Sequence, residues 1–514
     1  MELTLLNGML FLEGRWIKGS IVIEDGVIRE VGKDVKPRGE TWDLKGRPVI
    51  PGLVDSHIHL LSTATMSNMV DLKGVRSLGE LKKRLAEACR SRRVSVIIGR
   101  GWDQELFEER RYPKVEDLDE ACPTKPIIIV RVCGHVAVAN SLALKALGLA
   151  RKDGLLLENE VEEALKRVFK PNWEELLLSL RDLLFELPRR GVTMVHAVSS
   201  TPEELKALQE LKLRWGLPVR VRVYLEADCL DLLEKLGLMG DLGDEVLKIK
   251  GIKAFVDGSL GARTAYLSEE YNDGGGRGRL LLDAGALSKL ISRARALNLQ
   301  VAVHAIGDAA VAEALKGMRK ARVRGPWVRI EHCSLVPPHL LKELGEERPV
   351  ITVQPHFVIS DWWAVKRLGE RCRWLYPFKS LMKRGLTISG SSDSPVEPWD
   401  PWTGIYAAVD RGGVEGLDIF KYTKCEMLSL EEALTTYTAG GAKACMEYPR
   451  YGSLRKGSAA DVVVLESLPD RPEDLKNVEI YATFVNGRPV YFKEEGGTLG
   501  VTAGGMAGRD KFFI

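Results

Sequence analysis

Between residues 49 and 390, short runs of apolar residues alternate with longer stretches whose apolar positions recur every three to four residues. The short runs are typical of strands buried on both faces, and the longer stretches of amphipathic helices packed on a sheet. Strands that alternate with helices predict parallel βα units, which here close into a (β/α)8 TIM barrel. The predicted barrel strands are 49–54, 192–196, 219–225, 246–256, 299–304, 327–332, 350–354 and 386–390.

Both ends of the chain show a different pattern, in which β-type residues are interrupted by two-residue turns. Asn7-Gly8, Asp25-Gly26 and Asn486-Gly487 each lie between such runs, and Asn-Gly and Asp-Gly are strong hairpin signals. We therefore expect the two ends to form one small β-sandwich domain.

The segment between the first two barrel strands is too long for one helix, so it predicts a large α/β insertion. Loops of this length in compact enzymes are usually functional, and this one follows a strand at the barrel mouth. We expect it to cover the substrate as a lid. The predicted domains are 1–48 with 450–496 for the composite β-sandwich, 49–60 with 188–449 for the barrel, 61–187 for the insertion and 497–514 for a Gly-rich tail.

Composition excludes several classes of function. The 514 residues are 45% hydrophobic and 28% charged, as in ordinary globular proteins. Lys and Arg number 74 against 71 for Asp and Glu, so no strong positive field favours nucleic acid or an anionic membrane. No apolar run approaches the roughly 20 residues of a membrane helix, and the N-terminus does not resemble a signal peptide. We expect a cytoplasmic protein.

The eight cysteines are scattered along the chain without a Cys-x-x-Cys pair. In a chain of this size, that spacing predicts reduced and mostly buried thiols rather than a disulfide framework or a zinc ribbon.

Histidine and aspartate follow several of the predicted strands. His57 and His59 are one residue apart after the first strand, where alternation directs both side chains to the same face. His304, His332 and Asp393 end the fifth, sixth and eighth strands. Each residue alone is explained by packing or capping. Because the carboxyl ends of barrel strands meet at one mouth, the set predicts a divalent-metal site.

Short motifs lie in order along nearly the whole chain. They are Pro51-Gly-Leu-Val-Asp-Ser-His57-Ile-His59, Gly101-Trp102-Asp103-Gln104, Gly134-His135, His304-Ala-Ile-Gly-Asp308, Glu331-His332, Gly390-Ser-Ser-Asp393 and Gly452-Ser-Leu-Arg-Lys-Gly-Ser-Ala-Ala-Asp461. Together they resemble the amidohydrolase superfamily of metal-dependent hydrolases. Within it, they are most similar to the amidohydrolase-3 branch that includes N-substituted formamide deformylases.

The resemblance implies a role for Lys253. It lies on the fourth strand, in the segment where relatives carry a carboxylated lysine that bridges two metal ions. A carbamate formed from CO2 would give Lys253 two ligand oxygens. The alternatives are a snorkelling lysine and a lysine paired with Asp257. The implied cofactor is one or two divalent ions, with zinc the first choice and iron, manganese and cobalt as alternatives. The implied ligands are His57, His59, Lys253, His304, His332 and Asp393.

The resemblance also implies an activity. A metal-activated hydroxide would cleave a non-peptide C–N bond of amide type, such as that of an N-formyl or N-acyl amine. Asp393 would act as general base and then as general acid. A deaminase, a cyclic-amide hydrolase, a hydrolytic C–O lyase and a metal-free binding protein remain alternatives.

The expected partner is a small-molecule substrate, and homo-oligomerisation is left open. Four residues are candidates for substrate binding, and for the histidine among them packing at a helix start is an equal alternative. They are His135, Trp102, Asp257 and Arg263.

Overall fold

The computed structural model describes residues 2–91, 94–133, 135–149, 153–168, 172–493 and 499–500. The chain folds into two compact units, one of Met1–Leu60 with Leu184–Ile514 and one of Leu61–Leu183. The predicted tail at 497–514 lies outside the described residues, apart from the strand Leu499–Gly500. None of the described helices is long and apolar enough to cross a membrane.

Eight parallel strands form a nearly closed barrel, as the sequence predicts, and they neighbour one another in chain order. Between the last and the first strand, the Asp393 amide donates to the His57 carbonyl at 2.7 Å. The strands are β1 (Leu53–Ile58), β2 (Val192–Ser200), β3 (Arg220–Glu226), β4 (Leu247–Phe255), β5 (Gln300–Ala305), β6 (Val328–His332), β7 (Val350–Val353) and β8 (Ile388–Gly390).

Helices connect the barrel strands, and polar side chains fix where several of them begin. Thr201 accepts a hydrogen bond from the Glu204 amide, and Asp283 accepts from the amides that open the next long helix. The longer helices are Pro202–Arg214, Ala284–Ala296, Asp308–Ala321, Pro338–Glu347 and Pro401–Asp410. The shorter ones are Leu60–Met66, Leu230–Leu236, Phe357–Ser360, Ala364–Leu368, Phe378–Lys383, Asp418–Thr423, Leu430–Thr435 and Gly441–Ala444.

The predicted first strand, 49–54, is in fact two strands. Pro48–Pro51 pairs with Val462–Leu465 in a sheet outside the barrel, and the barrel strand β1 begins only at Leu53. Gly52 separates them, with its amide donating to the Asp461 carbonyl at 2.9 Å. A Cβ atom at Gly52 would lie 2.0 Å from Thr193 Oγ1, so a larger residue does not fit at this crossing.

Strands from both chain ends form one nine-stranded sheet. Leu5 and Ile21 from the first end pack in one apolar cluster with Val462 and Phe484 from the other. The two chain ends thus contribute to the same sheet, as predicted. Their arrangement as a β-sandwich stays a prediction. The strands are Glu2–Leu12, Arg15–Glu24, Val27–Gly32, Glu40–Asp43, Pro48–Pro51, Val462–Leu465, Ile480–Val485, Arg488–Lys493 and Leu499–Gly500.

Of the three predicted hairpin turns, Asp25-Gly26 and Asn486-Gly487 connect paired strands. The prediction for Asn7-Gly8 is wrong. The strand Glu2–Leu12 continues through it with a shift of register between Leu5 and Gly8, which accommodates the positive φ of 55° at Asn7.

The unit Leu61–Leu183 contains a five-stranded sheet with helices. Its core combines apolar residues of the sheet with those of two helices, including Leu81, Leu118 and Ile129. The strands are Val70–Asp71, Ile97–Trp102, Ile127–Arg131, Val136–Ala139 and Leu155–Leu157. The helices are Leu78–Ser91, Val115–Ala121, Ser141–Leu147, Asn159–Val168 and Trp173–Glu186, the last of which ends just beyond the unit.

The prediction that all cysteines are reduced is wrong for two of them. Cys89 and Cys122 form a disulfide, with Cα atoms 5.9 Å apart and a separation of 33 positions in sequence. Both residues pack against the same core of this unit, so folding brings together thiols that are distant along the chain. Among the free cysteines, Cys133 and Cys425 are exposed rather than buried.

Candidate metal centre

Three side chains meet where β1 ends and where the chain leaves β8. One nitrogen or oxygen atom from each of His57, His59 and Asp393 lies within 4.8 Å of the others. Asp393 Oδ1 is 3.2 Å from Nε2 of both histidines. Two imidazoles and a carboxylate at this spacing could hold a divalent metal ion.

Hydrogen bonds attach the segment after β8 to β1 and so fix Asp393. The Ser392 amide and hydroxyl both donate to Asp55, at 3.0 and 2.5 Å. Asp393 has a positive φ of 58°, and its own amide binds the His57 carbonyl. Asp55 is thus a functional residue that sequence reasoning missed, although it lies within the first-strand motif.

His57 is oriented by a buried carboxylate. Its Nδ1 atom lies 2.6 Å from Glu331 Oε2, and both side chains are fully buried. Arg329 donates to the same carboxylate from Nε at 2.9 Å and from Nη2 at 3.2 Å. Burial alone would raise the pKa of Glu331, but Arg329 and His57 hold it well below its usual range. Because an ionised carboxylate only accepts hydrogen bonds, Nδ1 of His57 carries the proton and Nε2 is available at the centre.

The sequence showed Glu331 only as part of a motif, without its role. A signal was present, because Arg329 and Glu331 alternate on one strand and therefore share the inner face of the barrel. Both are fully buried. Charged residues are almost never buried unless they are paired, so this alternation points to an internal ion pair.

The remaining predicted ligands lie beside this group. The ring centroid of His332 is 4.3 Å from that of His304 and 5.2 Å from that of His57. Lys253 Nζ is 3.2 Å from His57 Nε2. Burial lowers the pKa of His332 well below its usual range, that of His304 to about 3 and that of Lys253 to about 8. The structure therefore brings all six residues together, and burial keeps the imidazoles of His304 and His332 neutral.

Asp257 holds the segments after β4 and β5 together. Its carboxylate accepts hydrogen bonds from the backbone amides of Tyr266, Ile306 and Gly307, at 2.9 to 3.0 Å. Oδ1 also lies 3.6 Å from His304 Nε2, and burial raises the pKa of this carboxyl group to about 7. These contacts give Asp257 a structural role beside the centre, and a substrate contact stays a prediction.

His304 Nε2 is also 2.9 Å from the Gly258 carbonyl oxygen. Because a carbonyl oxygen only accepts, Nε2 carries the proton. Nδ1 is then the ring nitrogen of His304 with a lone pair for a metal ion.

The other candidate substrate residues have partners of their own. Trp102 is fully buried in the core of its unit, and its indole N–H donates to the Ile129 carbonyl at 3.1 Å. Arg263 forms an ion pair with Asp273 at 2.7 Å. Their substrate contacts stay predictions.

His135 is 68% exposed, and its Nδ1 lies 3.0 Å from Glu158 Oε2. It precedes the strand Val136–Ala139, and the next helix begins only at Ser141. The alternative interpretation, a packing residue at a helix start, is therefore wrong. A substrate contact for His135 stays a prediction.

The nearly closed barrel, with imidazoles and a carboxylate at the carboxyl ends of its strands, defines a metal-dependent hydrolase. A family model of the amidohydrolase-3 branch, described as the Amidohydrolase family, matches residues 40–491. The chain belongs to this family, as its motifs predicted.

Three relatives illustrate the match. A metal-dependent hydrolase of undefined activity from Pyrococcus furiosus is 36% identical, covers 92% of this chain and 100% of its own, and has a TM-score of 0.79. YtcJ of Bacillus subtilis, a predicted amidohydrolase, is 30% identical across 92% of this chain and 96% of its own. An N-substituted formamide deformylase from Arthrobacter pascens is 23% identical across 91% and 94%.

Proposed function

We propose that this protein hydrolyses a non-peptide C–N bond of amide type in a small molecule, such as an N-formyl or N-acyl amine. The observation that carries the proposal is the cluster of His57, His59 and Asp393, with its carboxylate oxygen 3.2 Å from two imidazole nitrogens. Similarity to a formamide deformylase supports an amide as the substrate.

The donor set fits one or two divalent ions. His57, His59 and Asp393 would hold one ion, and His304 and His332 a second. Nδ1 of His332 is buried and has no hydrogen-bond partner among the described residues. An unsatisfied buried nitrogen is costly, and a metal ion would accept its lone pair. Imidazole and carboxylate donors favour zinc as the first choice. When bound, the metal would lower the pKa of a water molecule and polarise the scissile carbonyl group.

Lys253 would be shared between the ions as a carbamate. An ammonium group 3.2 Å from His57 Nε2 would repel a cation, and in the described part of the chain Lys253 has no ion-pair partner. In the reaction with CO2, a bond forms between Nζ of the neutral amine and the carbon atom, and one proton leaves to solvent. The product is a carboxylate with two oxygen ligands.

This role has a chemical test. Lys253→Ala should lose bound zinc and turnover, and added formate, acetate or propionate should restore both by supplying the missing carboxylate. Lys250→Ala, on the same strand and paired with Asp241, is the control. Full zinc binding by Lys253→Ala without any added carboxylate would contradict the carbamate.

Asp393 is suited to move the proton. Burial alone would raise the pKa of its carboxyl group, but His57 and His59 hold it well below the usual range, so the group is ionised. It would take a proton from the attacking water and pass it to the leaving nitrogen. Glu331 supports this step by keeping the His57 ring in place.

A substrate panel tests the proposal. Protein loaded with Zn²⁺ and bicarbonate is assayed with N-formyl amines, N-acyl amino acids, hydantoins and aminopurines. We expect turnover of an acyclic amide, lost in Asp393→Asn and kept in the exposed control Asp418→Asn. Turnover confined to hydantoins or aminopurines would favour the cyclic-amide or deaminase alternative. Failure to bind stoichiometric zinc would favour a binding protein.

A further inference from the structure

A second polar pair, His356 and Glu397, lies on the segments that follow β7 and β8. These strands are neighbours, with Val353 opposite Gly390. Their alignment continues beyond the strands, because Gln354 Nε2 donates to Ser391 Oγ at 3.1 Å. The two segments therefore leave the barrel side by side at its catalytic face.

Each member of the pair is close in sequence to a residue of the metal centre or its surroundings. The Val396 amide donates to the Asp393 carbonyl at 3.0 Å, and this turn leads directly into Glu397. The ring of Phe357, next to His356, is 6.3 Å from the His332 ring between centroids. The two segments that carry the pair thus border the centre on the side of β7 and β8.

The hydrogen bonds of the pair decide which ring nitrogen carries the proton. Nδ1 of His356 is hydrogen-bonded to one carboxylate oxygen of Glu397, and the Ser360 hydroxyl donates to the other at 2.5 Å. A carboxylate only accepts hydrogen bonds, so Nδ1 carries the proton. In the neutral ring, Nε2 is then an acceptor.

This acceptor has no assigned use within the protein. His356 is 23% exposed and Glu397 9% exposed, so the ring is reachable while its support is buried. None of the hydrogen bonds among the described residues uses Nε2 of His356. A fixed acceptor beside a hydrolytic centre is suited to contact a hydrogen-bond donor on the substrate.

We propose that His356 is a specificity-determining residue that accepts a hydrogen bond from the N–H group of the substrate amide. It would select N-monosubstituted amides over N,N-disubstituted ones, because an N-methyl group leaves the acceptor without a partner. This inference rests on the proposed amide hydrolysis and deepens it. Glu397 is the positioning residue, since it acts through the tautomer of His356.

The test compares N-butylformamide with N-butyl-N-methylformamide in the zinc-loaded full-length protein. The preference is the ratio of kcat/KM for the N–H substrate to kcat/KM for the N-methyl substrate. We expect this ratio to be on the order of tenfold higher in the wild type than in His356→Phe, which corresponds to the loss of one hydrogen bond. Phenylalanine retains a ring without the acceptor. The steric effect of the methyl group is present in both proteins and cancels in the ratio of ratios.

Glu397→Gln is an independent second variant. A glutamine amide can donate to Nδ1 and so favour the tautomer with Nε2–H, which would abolish or reverse the preference without removing His356. Glu370→Gln, an exposed change on the segment between β7 and β8, is the matched control and should keep the wild-type preference. If His356→Phe does not fold, Glu397→Gln carries the test.

A binding readout separates this inference from the proposed function. Calorimetry with N-butylacetamide and N-butyl-N-methylacetamide measures the same preference without turnover. An N–H preference that both variants lose, in a protein that hydrolyses neither these formamides nor any acyclic amide of the substrate panel, supports the inference and overturns the proposed function. Hydrolysis with equal preference in the wild type and both variants overturns the inference alone. If the wild type neither binds nor hydrolyses these amides, the inference is overturned, and the proposed function is overturned with it when no acyclic amide of the panel is hydrolysed.

Discussion

Replacing Glu331 by glutamine tests how the barrel core supports the metal centre. The carboxylate receives three hydrogen bonds, at 2.6 Å from His57 Nδ1 and at 2.9 and 3.2 Å from Arg329. Glutamine has nearly the same size but only one acceptor oxygen, and its amide nitrogen would face donors. Arg329, which is fully buried, would also lose its counter-charge.

Removing one partner of a buried ion pair typically destabilises a protein by about 3–5 kcal/mol, because the other charge stays buried without compensation. Removing the carboxylate that orients a metal-ligating histidine typically lowers metal affinity by about 10–100-fold. We therefore expect Glu331→Gln to lower both the free energy of unfolding and the affinity for zinc.

The assay is a zinc titration against a competing chelator, together with urea unfolding of the metal-free protein. Glu347→Gln is the matched control, because Glu347 is also buried and accepts hydrogen bonds from Arg319 and Arg324. The side chains of those two arginines are 39% and 74% exposed, so the loss of this partner should cost less free energy of unfolding. Zinc affinity should not change in this control. Unchanged zinc affinity in Glu331→Gln, or an equal loss in both variants, would refute the reasoning.

Burial raises the pKa of Asp361 from 3.8 to about 7, so its stabilising contribution is present below pH 3.8 and is lost as the pH rises through 7. Asp361→Asn should flatten this decline in urea midpoints measured between pH 4 and 8, and identical pH slopes would contradict the assignment. Cys89→Ser/Cys122→Ser should lower the free energy of unfolding by about 3–4 kcal/mol for this loop length, and a reductant should destabilise only the wild type. Gly52→Ala, whose Cβ would lie 2.0 Å from a side-chain oxygen of β2, should cost about 1–3 kcal/mol, whereas Gly32→Ala has open space and should be nearly neutral in thermal unfolding.

The barrel strands could be located from the sequence because their signal is local. An apolar run bounded by polar residues is readable from neighbouring positions, and each of the eight predicted runs overlaps a strand of the barrel. The boundary at Gly52 could not be read in this way. It depends on contacts with Asp461 and Thr193, which are far away in the sequence.

The same distinction applies to the candidate metal centre. The residue types and their places at strand ends were readable for His57, His304, His332 and Asp393, because barrel strands run parallel and end at one mouth. Lys253 was different, since only the family resemblance distinguished it from an ordinary buried lysine. The structure then placed its Nζ atom next to His57.

By itself, the sequence determined the architecture, the family and the candidate ligand set, because each depends on local pattern and order along the chain. Only the tertiary structure decided which polar side chains form hydrogen bonds with one another. The bond between His57 and Glu331 joins residues 274 positions apart, and that between His356 and Glu397 joins residues 41 positions apart. Such pairs form because the barrel brings neighbouring or facing strands together, and no local pattern records which polar groups then meet.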